Sequence, residues 1–192
     1  MENNTITMKP VICDNFLEEK DFIALRDTII HFEFPWHFSL DVVSENEEKP
    51  SPGIFFHSIY FDKTPCSPLY ESHFLPILET LNVVELFRIR VNLNPRLPKP
   101  YTSDFHLDMM DLLKMEEHVA AQWITSILYI NTNNGYTEFE DGTKIESVAN
   151  RLVSYPLSTR HRIVTQTDEQ TRYVVNFNYI DSQNHNERTT RA

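Results

Sequence analysis

The chain has 192 residues, is 41% hydrophobic and 12% aromatic, and carries a formal net charge of −11 at pH 7. That length suits a single domain with a proper core, and so acidic a balance disfavours a general nucleic-acid-binding role. With 3 glycines and no G-x-G-x-x-G or Walker-type run, a glycine-rich phosphate loop is excluded.

The N-terminal stretch MENNTITMKP has neither a basic region nor an apolar one, so no signal peptide is expected there. No apolar run approaches membrane-spanning length. Cys13 and Cys66 lack C-x-x-C spacing and read as free thiols of a reducing compartment. The expectation is a soluble, cytoplasmic protein.

In chain order, PVIC (10–13) reads as a short strand. Asn15, with Glu18 three residues on, reads as the cap of a helix whose apolar stripe is Phe22, Leu25, Ile29 and Ile30. SENEEKPSPG (44–53) is a charged, proline-containing loop, and IFFHSIYF (54–61) a strand. Ser67-Pro68 opens a second helix carrying Leu69, Phe74, Ile77, Leu78 and Leu81, which Pro76 should kink or restart. After residue 85 the pattern alternates. Phe87, Ile89, Val91 and Leu93 face one way, and Arg88, Arg90 and Asn92 the other. Arg88, Arg90, Arg96 and Lys99 read as a solvated strand edge. Strand-like runs follow at 122–130, 144–148, 151–156, 161–165 and 171–179, separated by Asn133-Asn134-Gly135, Asp141-Gly142 and Pro156. Several short strands with regular turns indicate an all-β sandwich or barrel.

Among eight histidines, His106 stands out in FHLDMM because Asp108 follows two positions later. In an extended segment both side chains point to one face, so an imidazole and a carboxylate can share a metal. H-x-D alone is unspecific. His161, at the start of a later strand, is the best third ligand, and two histidines with one carboxylate mark non-haem Fe(II) oxygenases. Eleven residues on, Arg172 shares a strand face with Val174, Asn176 and Asn178. Alone it reads as a surface arginine on an edge strand. Beside H-x-D and a distal histidine it reads as an anion site, because a guanidinium is costly to bury without one and its fork fits a carboxylate.

The order H-x-D, distal His, then Arg resembles the Fe(II)/2-oxoglutarate-dependent oxygenases, and more narrowly the prolyl-4-hydroxylase-like branch. ILYINTNNGYTEFEDG (127–142) is similar to that branch's Tyr-Leu-Asn strand and Gly-x-Thr-x-Phe turn, here Tyr129-Ile130-Asn131 and Gly135 to Phe139. Many members carry Gly-Gly before the Thr; here Asn134 precedes Gly135. Residues 86–180 also resemble small oxygenases common in bacteriophage and marine microbial sequences.

The resemblance implies a mainly β fold with supporting helices and a double-stranded β-helix, or jelly-roll, core. One domain would span 1–180, with helical support mainly in 1–82, the core at about 83–180 and a polar tail at 181–192. It implies Fe(II) held by His106, Asp108 and His161, and 2-oxoglutarate whose distal carboxylate pairs with Arg172. Tyr129 would donate to the same carboxylate, and Asn92 is a further cosubstrate contact. O2 completes the reaction, ascorbate serves as an accessory reductant, and succinate and CO2 leave as a C–H bond is hydroxylated. The implied substrate is of peptidyl or amino-acid type, prolyl by analogy, and the location is the host cytoplasm if the chain is phage-encoded. Residues 44–53 and 109–120 are the candidate selectivity loops. A zinc-type metal hydrolase and a non-catalytic jelly-roll binding module are the competing readings. The first has no use for Arg172; the second would be expected to have lost a ligand.

Overall fold

A computed structural model describes residues 9–40, 51–109 and 122–183. Residues 44–50, 110–120 and 184–192, where parts of the two loop assignments and of the tail fall, lie outside them.

The elements run β1 (Val11–Cys13), α1 (Glu19–Ile30), β2 (His37–Ser39), β3 (Ile54–Phe61), β4 (Thr64–Pro65), a π-helical turn (Tyr70–Phe74), α2 (Leu75–Thr80), β5 (Val83–Pro95), β6 (Ile124–Tyr129), β7 (Tyr136–Phe139), β8 (Lys144–Glu146), β9 (Arg151–Pro156), β10 (His161–Val164) and β11 (Thr171–Asp181). All strand pairings are antiparallel. The large sheet has the order β1-β9-β6-β11-β5-β3-β2, with β4 beside β3, and the small sheet β10-β7-β8. Together they form the double-stranded β-helix, with β1, β2 and β3 extending the large sheet. No described helix is long and apolar enough to cross a membrane.

Alternation along the strands gives the large sheet two unlike faces. On one, Ile89, Val91, Leu128, Val175 and Phe177 are fully buried against Phe22, Leu25 and Ile29 of α1 and Phe74, Ile77 and Leu78 of the second helical segment. The other face looks at the small sheet. There Ile127, Tyr129, Val153, Tyr155 and Val174 pack with Phe139 and Ile145. The helices thus seal the outer face, and the inner face is left to build a site between two sheets.

The structure departs from the sequence reading in places with identifiable causes. Asn15 does not cap α1; it takes φ +53, which asparagine tolerates. The helix begins at Glu19 with no side-chain cap. The intervening chain is tied instead to Asn150. Phe16 N donates to its carbonyl (3.0 Å), Leu17 N to its Oδ1 (2.9 Å), and its Nδ2 donates to Leu17 O (2.8 Å). Ile30 is 48% exposed rather than part of the stripe. Pro76 restarts the second helix, sitting near the start of α2 just after the π-helical turn. Tyr136–Phe139, read as a turn, is strand β7, pairing with β10 and β8. Arg88 and Arg90 are not on a sheet edge. β5 lies between β11 and β3, so its polar face is barrel interior.

Candidate active site

The H-x-D segment joins the small sheet without being a regular strand. Ser103 N donates to Ile163 O (3.0 Å), and His106 and His161 exchange both backbone bonds (2.9 and 3.0 Å). Thr102 stands opposite Val164 and His106 opposite His161. Four steps on one strand therefore match three on the other, a bulge that re-aims the chain before His106. Directly opposed side chains share a face, and the two imidazoles lie 4.6 Å apart between centroids. Asp108 does not follow in extended backbone as the sequence suggested. It lies in a turn closed by Met109 at φ +66. The turn still delivers its carboxylate: one ligand atom from each of His106, Asp108 and His161 lies within 4.8 Å of the others.

Each of these groups is oriented from behind. The Nδ1 of His106 faces Asp104 O at 3.0 Å, and that of His161 faces Thr159 O at 3.2 Å. A carbonyl only accepts, so both Nδ1 atoms carry a proton, which leaves Nε2 as the nitrogen each ring can offer a metal. Asp108 Oδ2 receives Asn178 Nδ2 (3.3 Å), Thr125 Oγ1 (3.5 Å) and Arg88 Nη2 (3.5 Å). These contacts all fall on Oδ2, so Oδ1 remains available to a ligand. Burial alone would raise the Asp108 pKa. The charges of Arg88, His161 and His106 and the Asn178 bond outweigh it and bring it to about 2. Burial lowers His161 to about 4, against the opposing pull of Asp108. At neutral pH the buried pair is therefore an anionic carboxylate and a neutral imidazole, the forms a metal needs.

Arg172 is 1% exposed. Its Nε donates to Ser147 Oγ (2.8 Å), its Nη2 reaches Thr137 Oγ1 at 3.5 Å, and its Nη1 has no partner. Among the described residues no carboxylate pairs with it. The Tyr129 ring centroid lies 5.4 Å from the guanidinium carbon, and the Tyr129 hydroxyl donates to Thr137 Oγ1 (2.8 Å). On β7, Thr137 stands opposite Ile163 and Phe139 opposite His161. The Arg172 contact is thus one same-face step, about 7 Å, from the His161 level. Gly135 packs closely beside it, since a Cβ there would lie 3.0 Å from Arg172 Cδ and 2.9 Å from Asn133 Oδ1 and would need these side chains to shift.

The structure thus gathers His106, Asp108 and His161 at one point, with Arg172 and Tyr129 together on the same inner face. Asn92, 6% exposed, lines a cavity of about 130 Å³ with His106, Asp108, Arg88, Arg90 and Asn176. Arg88, Thr125 and Asn178, which hold Asp108, were missed. Arg88 and Asn178 stand opposite each other on β5 and β11, and Thr125 lies beside Asn178 on β6. The only sequence signal for them was polar residues alternating within apolar strands.

No protein-family model and no curated protein matches the chain by sequence. Solved structures match its fold. A prolyl-4-hydroxylase from Pseudomonas putida aligns with a TM-score of 0.56 at 14% identity, over 90% of this chain and 92% of the other. An oxidoreductase of the 2OG-Fe(II) oxygenase family from Burkholderia pseudomallei aligns with a TM-score of 0.60 at 10% identity, over 88% and 84%. A non-haem α-ketoglutarate-dependent carbocyclase of nogalamycin biosynthesis, SnoK, aligns with a TM-score of 0.60 at 13% identity, over 90% and 79%. At such identities the likeness shows the fold, which is that of the 2-oxoglutarate/Fe(II) oxygenases, the prolyl-4-hydroxylase type among them.

Proposed function

We propose that the protein is an Fe(II)- and 2-oxoglutarate-dependent oxygenase that hydroxylates a C–H bond of a peptidyl or amino-acid-type substrate, prolyl residues being one candidate by analogy with the fold's hydroxylases. The observation that carries this reading is Arg172: a buried guanidinium with an unpartnered nitrogen and no described carboxylate, on the inner face shared with a two-histidine, one-carboxylate cluster. A hydrolytic metal site has no use for such a cation. A 2-oxoglutarate site needs it for the far carboxylate.

The residues fit these groups. Two imidazoles and one carboxylate brought together leave other coordination positions open, the donor set of non-haem Fe(II) oxygenases. When bound, Fe(II) and 2-oxoglutarate together with O2 supply the C–H oxidant, releasing succinate and CO2, with ascorbate as accessory reductant. His106, Asp108 and His161 would hold the ion. Arg172 would take the 5-carboxylate through Nη1 and Nη2, with the Tyr129 hydroxyl turning from Thr137 to join it. Ile127, Val153, Val174 and Phe139 would keep the space between dry, which strengthens that ion pair. The oxygenase domain we assign spans 1–180.

The test is an anaerobic titration of metal-free protein with Fe(II) and then 2-oxoglutarate. A weak visible charge-transfer band should appear and be lost in His161→Ala and Asp108→Ala. Metal bound without the band would refute the reading and favour zinc-type chemistry. The band without succinate formation would favour a binding module.

A further inference from the structure

Arg90 stands one same-face step from Arg88 on β5, opposite Asn176 on β11 and Ser58 on β3. Its guanidinium carbon lies 4.1 Å from the Phe56 ring centroid, and its Nε is buried without a hydrogen-bond partner. Among the described residues no carboxylate pairs with it, and Asp108 in the same cavity is held by Arg88. Asn92 Oδ1 and Asn176 Oδ1, lining that cavity, are also buried and unpartnered. Either amide can turn its NH2 to an acceptor instead. Around His106 and Asp108 there is therefore a second cationic pocket, with an idle donor at Arg90 Nε and two side-chain amides whose oxygens are unpartnered as placed.

This pocket is not the Arg172 end. The cavity that contains Arg90 is lined by neither Arg172, Tyr129 nor Thr137. In the β5–β11 register Arg172 pairs with Asn94, four residues from Arg90, so the two arginines leave the backbone at levels about 14 Å apart. Arg90 projects from β5 and Arg172 from β11, and Arg90 stands at a level between Arg88 and Asn94, so a 2-oxoglutarate spanning to Arg172 along β11 would pass beside Arg90, one strand over, and leave it open to a second ligand. The charges agree. Asp108 and the two charges of 2-oxoglutarate would offset three of the five positive charges on Arg88, Arg90, Arg172 and a divalent metal, and among the described residues Arg90 is an arginine of this interior with no carboxylate paired to it.

Resting on the oxygenase reading above, we propose that Arg90, with the amides of Asn92 and Asn176, is a substrate subsite that takes a free carboxylate. The substrate class is then a small carboxylic acid or free amino acid, not an internal residue of a peptide. Arg90 is one step, about 7 Å, from Arg88, which itself touches Asp108. The oxidised carbon should therefore lie within a few bonds of that carboxylate.

The experiment uses acetate as the minimal carboxylate. With Mn(II)-loaded protein saturated with 2-oxoglutarate, the acetate methyl proton resonance should broaden through its closeness to the metal, and further 2-oxoglutarate should not reverse this. In Arg90→Met the broadening should fall about tenfold, the loss of a charge-assisted contact, with 2-oxoglutarate affinity retained. Arg90→Lys keeps the charge and serves as the second variant; it should lose part of the effect. Equal broadening in the variants overturns the subsite. Loss of 2-oxoglutarate affinity together with acetate binding would assign Arg90 to the cosubstrate and also overturn it. An Arg90-dependent response of inorganic phosphate with none from acetate overturns the carboxylate class. Failure of the wild type to bind 2-oxoglutarate would instead count against the oxygenase reading, and the acetate response without it would still report on Arg90.

Discussion

Replacing Arg172 with methionine separates a ligand-binding cation from a structural one, because the two roles move stability and affinity in opposite directions. In the free protein the guanidinium is 1% exposed, with one short bond to Ser147, a long one to Thr137 and an idle Nη1. Burial accordingly lowers its pKa. An uncompensated buried charge costs several kcal/mol, whereas the neutral Ser147 contact returns only about 1 kcal/mol. Thr137 keeps its bond from Tyr129 (2.8 Å). Methionine fills much of the same volume, so metal-free Arg172→Met should melt no lower than wild type. Its affinity for 2-oxoglutarate should fall. A charge-assisted bond is worth about 1.5–3 kcal/mol, which corresponds to roughly ten- to hundredfold in Kd. Thermal melts of the metal-free protein and calorimetric titration of the Mn(II)-loaded protein read the two quantities. An unchanged Kd, or a loss of about 3–5 kcal/mol in stability as when a buried ion pair is broken, would refute the argument.

Three further outcomes test other parts of the structure. Arg88→Met removes the cation 3.5 Å from Asp108 Oδ2 and the donor to Asn178 Oδ1. The Asp108 pKa should then rise from about 2, and metal affinity at neutral pH should fall about 10–100-fold; an unchanged metal titration would mean Arg88 does not position the ligand. His57, buried under Phe34 and near His37, has its pKa lowered first by burial and then by His37. The unfolded chain therefore binds the proton more readily, and stability should drop as pH falls through about 6.5 and toward the folded value. The drop in melting temperature between neutral and mildly acidic pH should be shallower in His57→Leu, and an identical slope would contradict this. Phe177→Ala empties a fully buried position against Phe74 on the helix-packed face and should cost about 3–5 kcal/mol by denaturant unfolding; a loss below about 1 kcal/mol would mean the face collapses to fill the gap.

Local pattern carried much of the fold. Ile89 and Val91 are core because they alternate with polar neighbours, and the late strands fall close to their sequence bounds. What failed was local signal overridden by distant partners. Asn15 looks like a cap, but the chain after it is held by Asn150. The Gly135–Phe139 motif looks like a turn, but Thr137 and Phe139 pair with Ile163 and His161 as a strand. His106, Asp108 and His161 were legible because their chemistry is specific even before geometry. The extended backbone assumed for H-x-D was not what brings them together; a bulge and a turn do that.

The misreading of Arg88 and Arg90 is the most informative. Their alternation with apolar residues was plain, and a polar face on a strand ordinarily meets water. Whether it does depends on what flanks the strand, and β5 pairs with β11 some 80 residues away, which no local pattern records. The result inverts the electrostatic reading of the whole chain. A protein of net charge −11 will not draw anions to its surface from a distance. Inside the barrel, however, Arg88 pairs with Asp108, Arg90 lines the same cavity, and Arg172 is buried with no described carboxylate. Buried charges are screened far less than surface ones. On the oxygenase reading proposed above, recognition of the anionic cosubstrate therefore comes from the buried Arg172 and not from the field outside, so Arg172→Met should weaken its binding more than adding salt does.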